Sequence, residues 1–140
     1  MTTTTVEELF DQGLERYSAG EAPQTLIPVF KEVCDRAQRN SPALTCLAWL
    51  YLLEGKPALA LKSAQKAIKL NQQDPQARIN LVMAMLDTNQ KGVRPHIEII
   101  QQLLMVPELR EEVEKSFADG LKRNPEWASL LKVKAWVLDE

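Results

Sequence analysis

Residues 41–74 read SPALTCLAWLYLLEGKPALALKSAQKAIKLNQQD, and their spacing sets the architecture. Leu44, Leu47, Ala48 and Tyr51 recur at i, i+3, i+4 and i+7, which puts them on one face of an amphipathic helix. Gly55 breaks that helix. Pro57 starts another at a first helical position, where its missing N–H has no partner to lose. Ala60, Ala64 and Ala67 follow at helical spacing, and Leu70 closes the segment. Three small residues on one face let two antiparallel helices approach closely, so this stretch predicts a tightly packed helix pair.

On either side, the same pattern returns every 34 residues. Tyr17, Tyr51 and Met85 are spaced this way, as are Pro23 and Pro57, and Phe30, Ala64 and Glu98. A period of this length is the mark of a helical repeat array, and it divides the chain into units at about 7–40, 41–74 and 75–108. On Leu47, Ala48, Tyr51, Gly55, Ala60, Ala64 and Ala67 the middle unit resembles the tetratricopeptide repeat (TPR). That resemblance implies an all-α fold, a right-handed superhelical stack of antiparallel helix pairs. It implies one TPR domain over 1–140, made of three units and a C-terminal helical cap at 109–140. The outer units depart from the pattern. Leu26 stands where a small residue is expected in the first, Arg94 at the matching place in the third, and Asn89 replaces the turn glycine. The packing of the third unit's second helix is left open by these departures.

Helix punctuation agrees with the periodicity. Thr5-Val-Glu-Glu8 is a capping box, and Ser41-Pro42, Asp74-Pro75 and Asn124-Pro125 each pair an N-cap oxygen with proline at the first helical position. Starts are therefore expected near 6, 42, 75 and 125, with three more at Pro23, Pro57 and Pro107. Pro28 and Pro95 are expected to shorten or kink the helices that hold them. Beyond residue 108 the repeat ends. Leu109, Val113, Phe117 and Leu121 form one helical stripe, and a last helix carries Trp127, Leu130, Leu131, Val133, Trp136 and Val137. A terminal repeat must cover its exposed apolar edge, which is the role expected of this pair. Trp127, Trp136 and Val137 form a second interface if the fold does not use them.

Composition narrows the function. With 17 basic and 19 acidic residues the net charge is -2, which lacks the cationic excess that drives phosphate binding, so nucleic acid is not an expected partner. The most apolar run, Leu44–Leu53, is about half the length a bilayer span requires. Met1–Thr5 has no basic or apolar leader character. Two cysteines, Cys34 and Cys46, fit neither a disulfide framework nor a metal knuckle, and suit a reducing, cytoplasmic setting. The single histidine, His96, has no second ligand nearby in sequence, so no metal and no cofactor is expected. Neither a phosphate loop, a nucleophile elbow nor a His-Glu-x-x-His motif occurs. The chain is expected not to be an enzyme.

The resemblance implies protein binding instead, in a concave groove lined by the first helix of each unit. Transferring the family's groove positions gives Glu8, Asp11, Gln12 and Glu15 from the first unit. The second supplies Thr45, Cys46, Trp49 and Leu53, and the third Gln76, Ile79, Asn80 and Met83. Family members that hold an acidic C-terminal chaperone tail clamp it with Lys, Arg and Asn. Here the matching positions are Asp11, Glu15, Cys46, Gln76 and Asn80, of which only Asn80 fits, and Asp11 and Glu15 repel such a tail. A basic or amphipathic client segment suits this groove better, with apolar anchors on Trp49, Ile79 and Met83 and a cation toward Asp11 and Glu15. Other placements satisfy the same residues: Trp49 and Met83 packed against neighbouring helices, or the 109–121 helix folded back into the groove. An adaptor or assembly factor is the leading function, and a self-associating scaffold joined through the Trp127/Trp136 helix is the alternative. The chain is also similar in general appearance to short repeat proteins of cyanobacteria and plastids, many of which help assemble photosynthetic complexes.

Overall fold

The computed structural model describes residues 4–138, so the start of the Met1–Thr5 segment and the last two residues of the 1–140 range lie outside it. The described residues form eight helices: α1 (Val6–Ser18), α2 (Pro23–Arg36), α3 (Ser41–Leu53), α4 (Pro57–Leu70), α5 (Pro75–Asp87), α6 (Arg94–Leu103), α7 (Pro107–Arg123) and α8 (Ala128–Val137). Each of α1 to α6 packs on its neighbour in sequence, and α3 also packs on α5. The result is a stack of helix pairs, α1–α2, α3–α4 and α5–α6.

Local chemistry explains most helix ends. Thr5 accepts from the Glu8 amide at 3.1 Å and donates to the Glu8 carboxylate, closing the capping box. Asp74 caps α5 through the Gln76 amide, and Pro23, Pro57 and Pro107 open their helices. Ahead of α3 the cap is Asn40, which accepts from Ala43 N–H. Ser41 turns inward to the Ala67 carbonyl. Asn124-Pro125 starts no helix; Asn124 accepts from Trp127 N–H in a turn, and α8 begins at Ala128. Pro28 lies inside a full-length α2. It removes one amide donor, and the Gln24 carbonyl left without it belongs to a solvent-exposed residue that water can satisfy.

The three turns between paired helices share one hydrogen-bond scheme. Gly55 N–H bonds the Leu52 carbonyl and Lys56 N–H the Tyr51 carbonyl; Gly20 with Glu21, and Asn89 with Gln90, repeat the pattern. Such a Schellman ending needs a left-handed residue. Gly55 (φ 69°) takes it freely, and Asn89 (φ 58°) adopts it because asparagine tolerates that region better than most residues.

The departures in the outer units have simple packing reasons. Phe30, the counterpart of Ala64, is 1% exposed, and the extra volume is met by Gly13 at the position equivalent to Leu47. A Cβ on Gly13 would lie 2.8 Å from Phe30 Cζ. Large and small have exchanged sides. In the third unit Arg94 does not occupy the small-residue position; its side chain is exposed at the start of α6. The α5–α6 turn is longer, so Ile97 and Leu104, lying 37 residues after Ala60 and Ala67, take the buried places. Pro95 accompanies a shorter helix, ten residues against fourteen in α2 and α4.

The last two helices divide the expected capping role. α8 lies against both α5 and α6, as α5 lies against α3 and α4. Ser129 donates to Asp87 and Gln101 donates to the Trp136 carbonyl, fixing α8 in place. α7 instead crosses the inner side of the stack and reaches α1. For that reason α3 is buried on both faces, Thr45, Trp49 and Leu52 as well as Leu44, Leu47 and Tyr51. A helix covered all round loses its amphipathic character.

Candidate functional site

The inner side of the stack is organised around Trp49. Its Nε1 donates to the Tyr17 hydroxyl at 2.7 Å, and its ring lies 5.2 Å from that of Trp127. Gly120 of α7 packs against the indole edge, where an added Cβ would sit 3.0 Å from Cη2. The Tyr17 hydroxyl in turn donates to Asp119 Oδ2. Arg123 donates from Nη2 to the Tyr17 carbonyl at 2.9 Å, from Nε to Asp119 at 3.1 Å, and stacks 3.9 Å from the tyrosine ring centroid. Burial, reinforced by the Asp119 carboxylate, raises the Tyr17 pKa well above the ordinary phenol value. The phenol is therefore a permanent donor, and it ties α1 to α7.

Beside this latch a half-open cleft of about 450 Å³ remains. Leu14, Tyr17 and Ser18 of α1 form one wall and Lys115, Ser116 and Asp119 of α7 the other. Phe30, Cys46, Trp49 and Leu50 make its floor, with Thr45 and Gln76 at one end. That end is a polar ladder. Asn80 donates from Nδ2 to the Thr45 carbonyl at 3.0 Å, which turns its Oδ1 toward Gln76 Nε2 at 2.9 Å. Gln76 Oε1 is left as a buried acceptor with no donor. Burial pushes the Cys46 thiol up to about 12 and, with the nearby Asp35 carboxylate adding a smaller effect, Cys34 up to about 11. Both stay protonated at neutral pH and pack as small apolar groups.

Asp11 and Glu15 are exposed on α1. Asp11 sits one turn before Leu14 on the stripe that runs through Leu14 and Ser18, so it flanks the cleft. Glu7, Glu8, Asp11 and Glu15 have no ion-pair partner among the described residues, whereas Arg16 is taken by Glu21. The acidic edge is a free field.

Several expected groove residues are not surface residues. Ile79, Asn80 and Met83 are completely buried and Trp49 is 8% exposed. Trp49, Ile79 and Met83 share one apolar cluster with Val113, Phe117 and Leu130 of the two last helices, so the groove is not open along its length. Leu53 lies apart from the cleft, in a recess with Pro23, Leu52, Arg123 and Trp127. Of the second interface, Trp127 and Val137 are buried and only Trp136, 40% exposed, reaches the surface, in a recess with Val93, Ile97 and Gln101. Residues that sequence reasoning missed are Leu14, Tyr17, Lys115, Ser116, Asp119 and Arg123. One signal was present: Gly120 follows Val113 by seven residues on the same helical face, a gap in an apolar stripe where something large must fit.

No family model matches the chain, and no curated protein matches it in sequence. Among solved structures it is similar to the type III secretion translocator chaperone SycD of Yersinia enterocolitica, with a TM-score of 0.69 and 17% identity over 95% of this chain and 94% of that one. The likeness establishes a shared helical-repeat fold. No helix of the described residues is long and apolar enough to cross a membrane.

Proposed function

We propose that this chain is a TPR-type adaptor or assembly factor that holds a basic or amphipathic segment of a client protein on its inner face, beginning at the α1–α7 cleft. The observation that carries this reading is the juxtaposition of a half-open apolar cleft, with Leu14, Trp49 and Leu50 inside, and an acidic helix edge: Asp11 on the Leu14–Ser18 stripe, and Glu15 exposed on the same helix. Apolar side chains of a client gain by leaving water, while its cations set orientation and suppress acidic competitors. The fold shared with a protein described as a translocator chaperone supports a client-holding role. No catalytic role is assigned to any residue.

The test is direct titration. An amphipathic Leu/Lys peptide of about four helical turns is expected to bind the intact chain, and its Leu/Glu counterpart to bind at least about tenfold more weakly. Asp11→Lys/Glu15→Lys is expected to abolish that preference, and added salt to weaken it. Equal binding of both peptides, or a preference indifferent to the charge reversal, would sink the proposal.

A second reading, self-association through α8, has one observation in its favour: Trp136 and Leu131 remain exposed on the outermost helix. Sedimentation velocity across a concentration series, repeated with Trp136→Ala, tests it; a monomer at every concentration rejects it.

A further inference from the structure

The inner face assigned to the client already carries α7. Three properties of α7 together make it the helix most readily released from that face. It is lightly anchored, like the outer helices α1 and α6: only Val113, Phe117 and Gly120 of its seventeen residues are buried, against ten of thirteen in the central α3 and α5. It is self-sufficient: Arg110 with Glu114, Lys115 with Glu111, and Arg123 with Asp119 are all i, i+4 ion pairs within α7, the spacing that stabilises an isolated helix. It is held to α1 by polar groups that are satisfied equally well without it. Asp119 and Arg123 already pair with each other, and water can serve the Tyr17 hydroxyl.

Resting on the reading that the inner face is the binding site, we infer that α7 is a resident occupant of that face, displaced by a client helix of the same chemistry. The required chemistry is legible in α7 itself. A client helix presents an aliphatic and an aromatic anchor at i and i+4, as Val113 and Phe117 do. At i+7 it carries a small residue, as at Gly120, because Trp49 leaves no room for more. Around these it carries more positive charge than α7, whose own acids and bases pair along its length and leave Glu7, Asp11 and Glu15 unanswered. That charge difference gives the client its advantage over the resident helix. The cleft between Leu14 and Lys115 is the point where it first gains a hold.

Hydrogen exchange on the intact chain, with a synthetic peptide of residues 107–123 as the probe, tests the inference. The α7 amides are expected to exchange at least about tenfold faster than those of α3 to α5, by local opening. Tyr17→Phe/Arg123→Gln removes the latch and keeps the tyrosine ring on the cleft wall. In this variant α7 is expected to exchange about tenfold faster again, with α3 to α5 unchanged as the control for folding. The peptide is expected to bind the latch variant about tenfold more tightly than the unmodified chain, and a Phe117→Asp peptide to bind neither. If α7 exchanges only at the rate of α3 to α5 in both proteins, or the peptide does not distinguish them, α7 is a fixed cap and the inference falls. The outcome is independent of the Leu/Lys titration: binding of residues 107–123 to the latch variant supports the inference even where the Leu/Lys peptide binds neither protein.

Discussion

Gly13 and Phe30 show how one residue can depart from a repeat pattern without breaking it. Read alone, a phenylalanine at the position of Ala64 overfills a helix pair, and a glycine at the position of Leu47 leaves a gap. Together they conserve volume. Gly13→Ala sets two effects against each other. Alanine gains up to about 1 kcal/mol of helix propensity, but its Cβ meets a ring that is buried and stacked edge-on against Phe10 at 5.8 Å, and overpacking costs about 1–3 kcal/mol. The clash wins, because the ring has nowhere to turn. Urea denaturation is expected to show a net loss of roughly 1 kcal/mol, and the same substitution in a Phe30→Leu background is expected to stabilise. A stabilising effect in the original background would show that Phe30 yields.

Helices α5 and α6 meet through an unusual polar contact. Arg78 is buried, its Nη1 lies 2.9 Å from His96 Nδ1, and its Nε finds no partner. Only a neutral imidazole accepts from a guanidinium. Burial, and then the facing charge of Arg78, accordingly lower the His96 pKa below its ordinary value. Between the lowered folded value and the ordinary one, the unfolded chain binds more protons than the folded chain, so stability rises with pH. The contribution is complete above the ordinary histidine pKa, about 6.5, and is lost as the pH falls through the folded value. His96→Gln is expected to flatten this part of the stability profile, which denaturation between pH 7 and 5 would reveal; an unchanged slope would assign the acid sensitivity to other groups. Among the helices and turns the sequence was highly legible. Thr5 and Asp74 mark helix starts through bonds spanning a few residues, Pro23, Pro57 and Pro107 through their fixed φ, and Asn89 marks a turn that glycine makes elsewhere. The third unit's second helix was legible only in part, since a longer turn shifts Ile97 and Leu104 into places that a strict 34-residue count gives to other residues.

Across the assembled stack, Trp49 is a core residue. It joins α1, α7 and α8 through Tyr17, Gly120 and Trp127, so Trp49→Ala is expected to cost about 3–5 kcal/mol and to lower the thermal transition. A transition left in place would return Trp49 to the surface. Features that depend on near neighbours follow from the order of residues alone: an all-helical chain, a 34-residue period, the helix starts set by caps and prolines, and the acidic face of α1. Which apolar faces are covered is settled only when the helices pack. Tyr17 meets Asp119 across 102 residues. An apolar stripe such as Trp49, Ile79 and Met83 states that it must be removed from water, and says nothing of which helix removes it. The hydrophobic effect has no direction, so the partner was chosen by the shape of the assembled stack and by the single gap at Gly120 into which the indole fits.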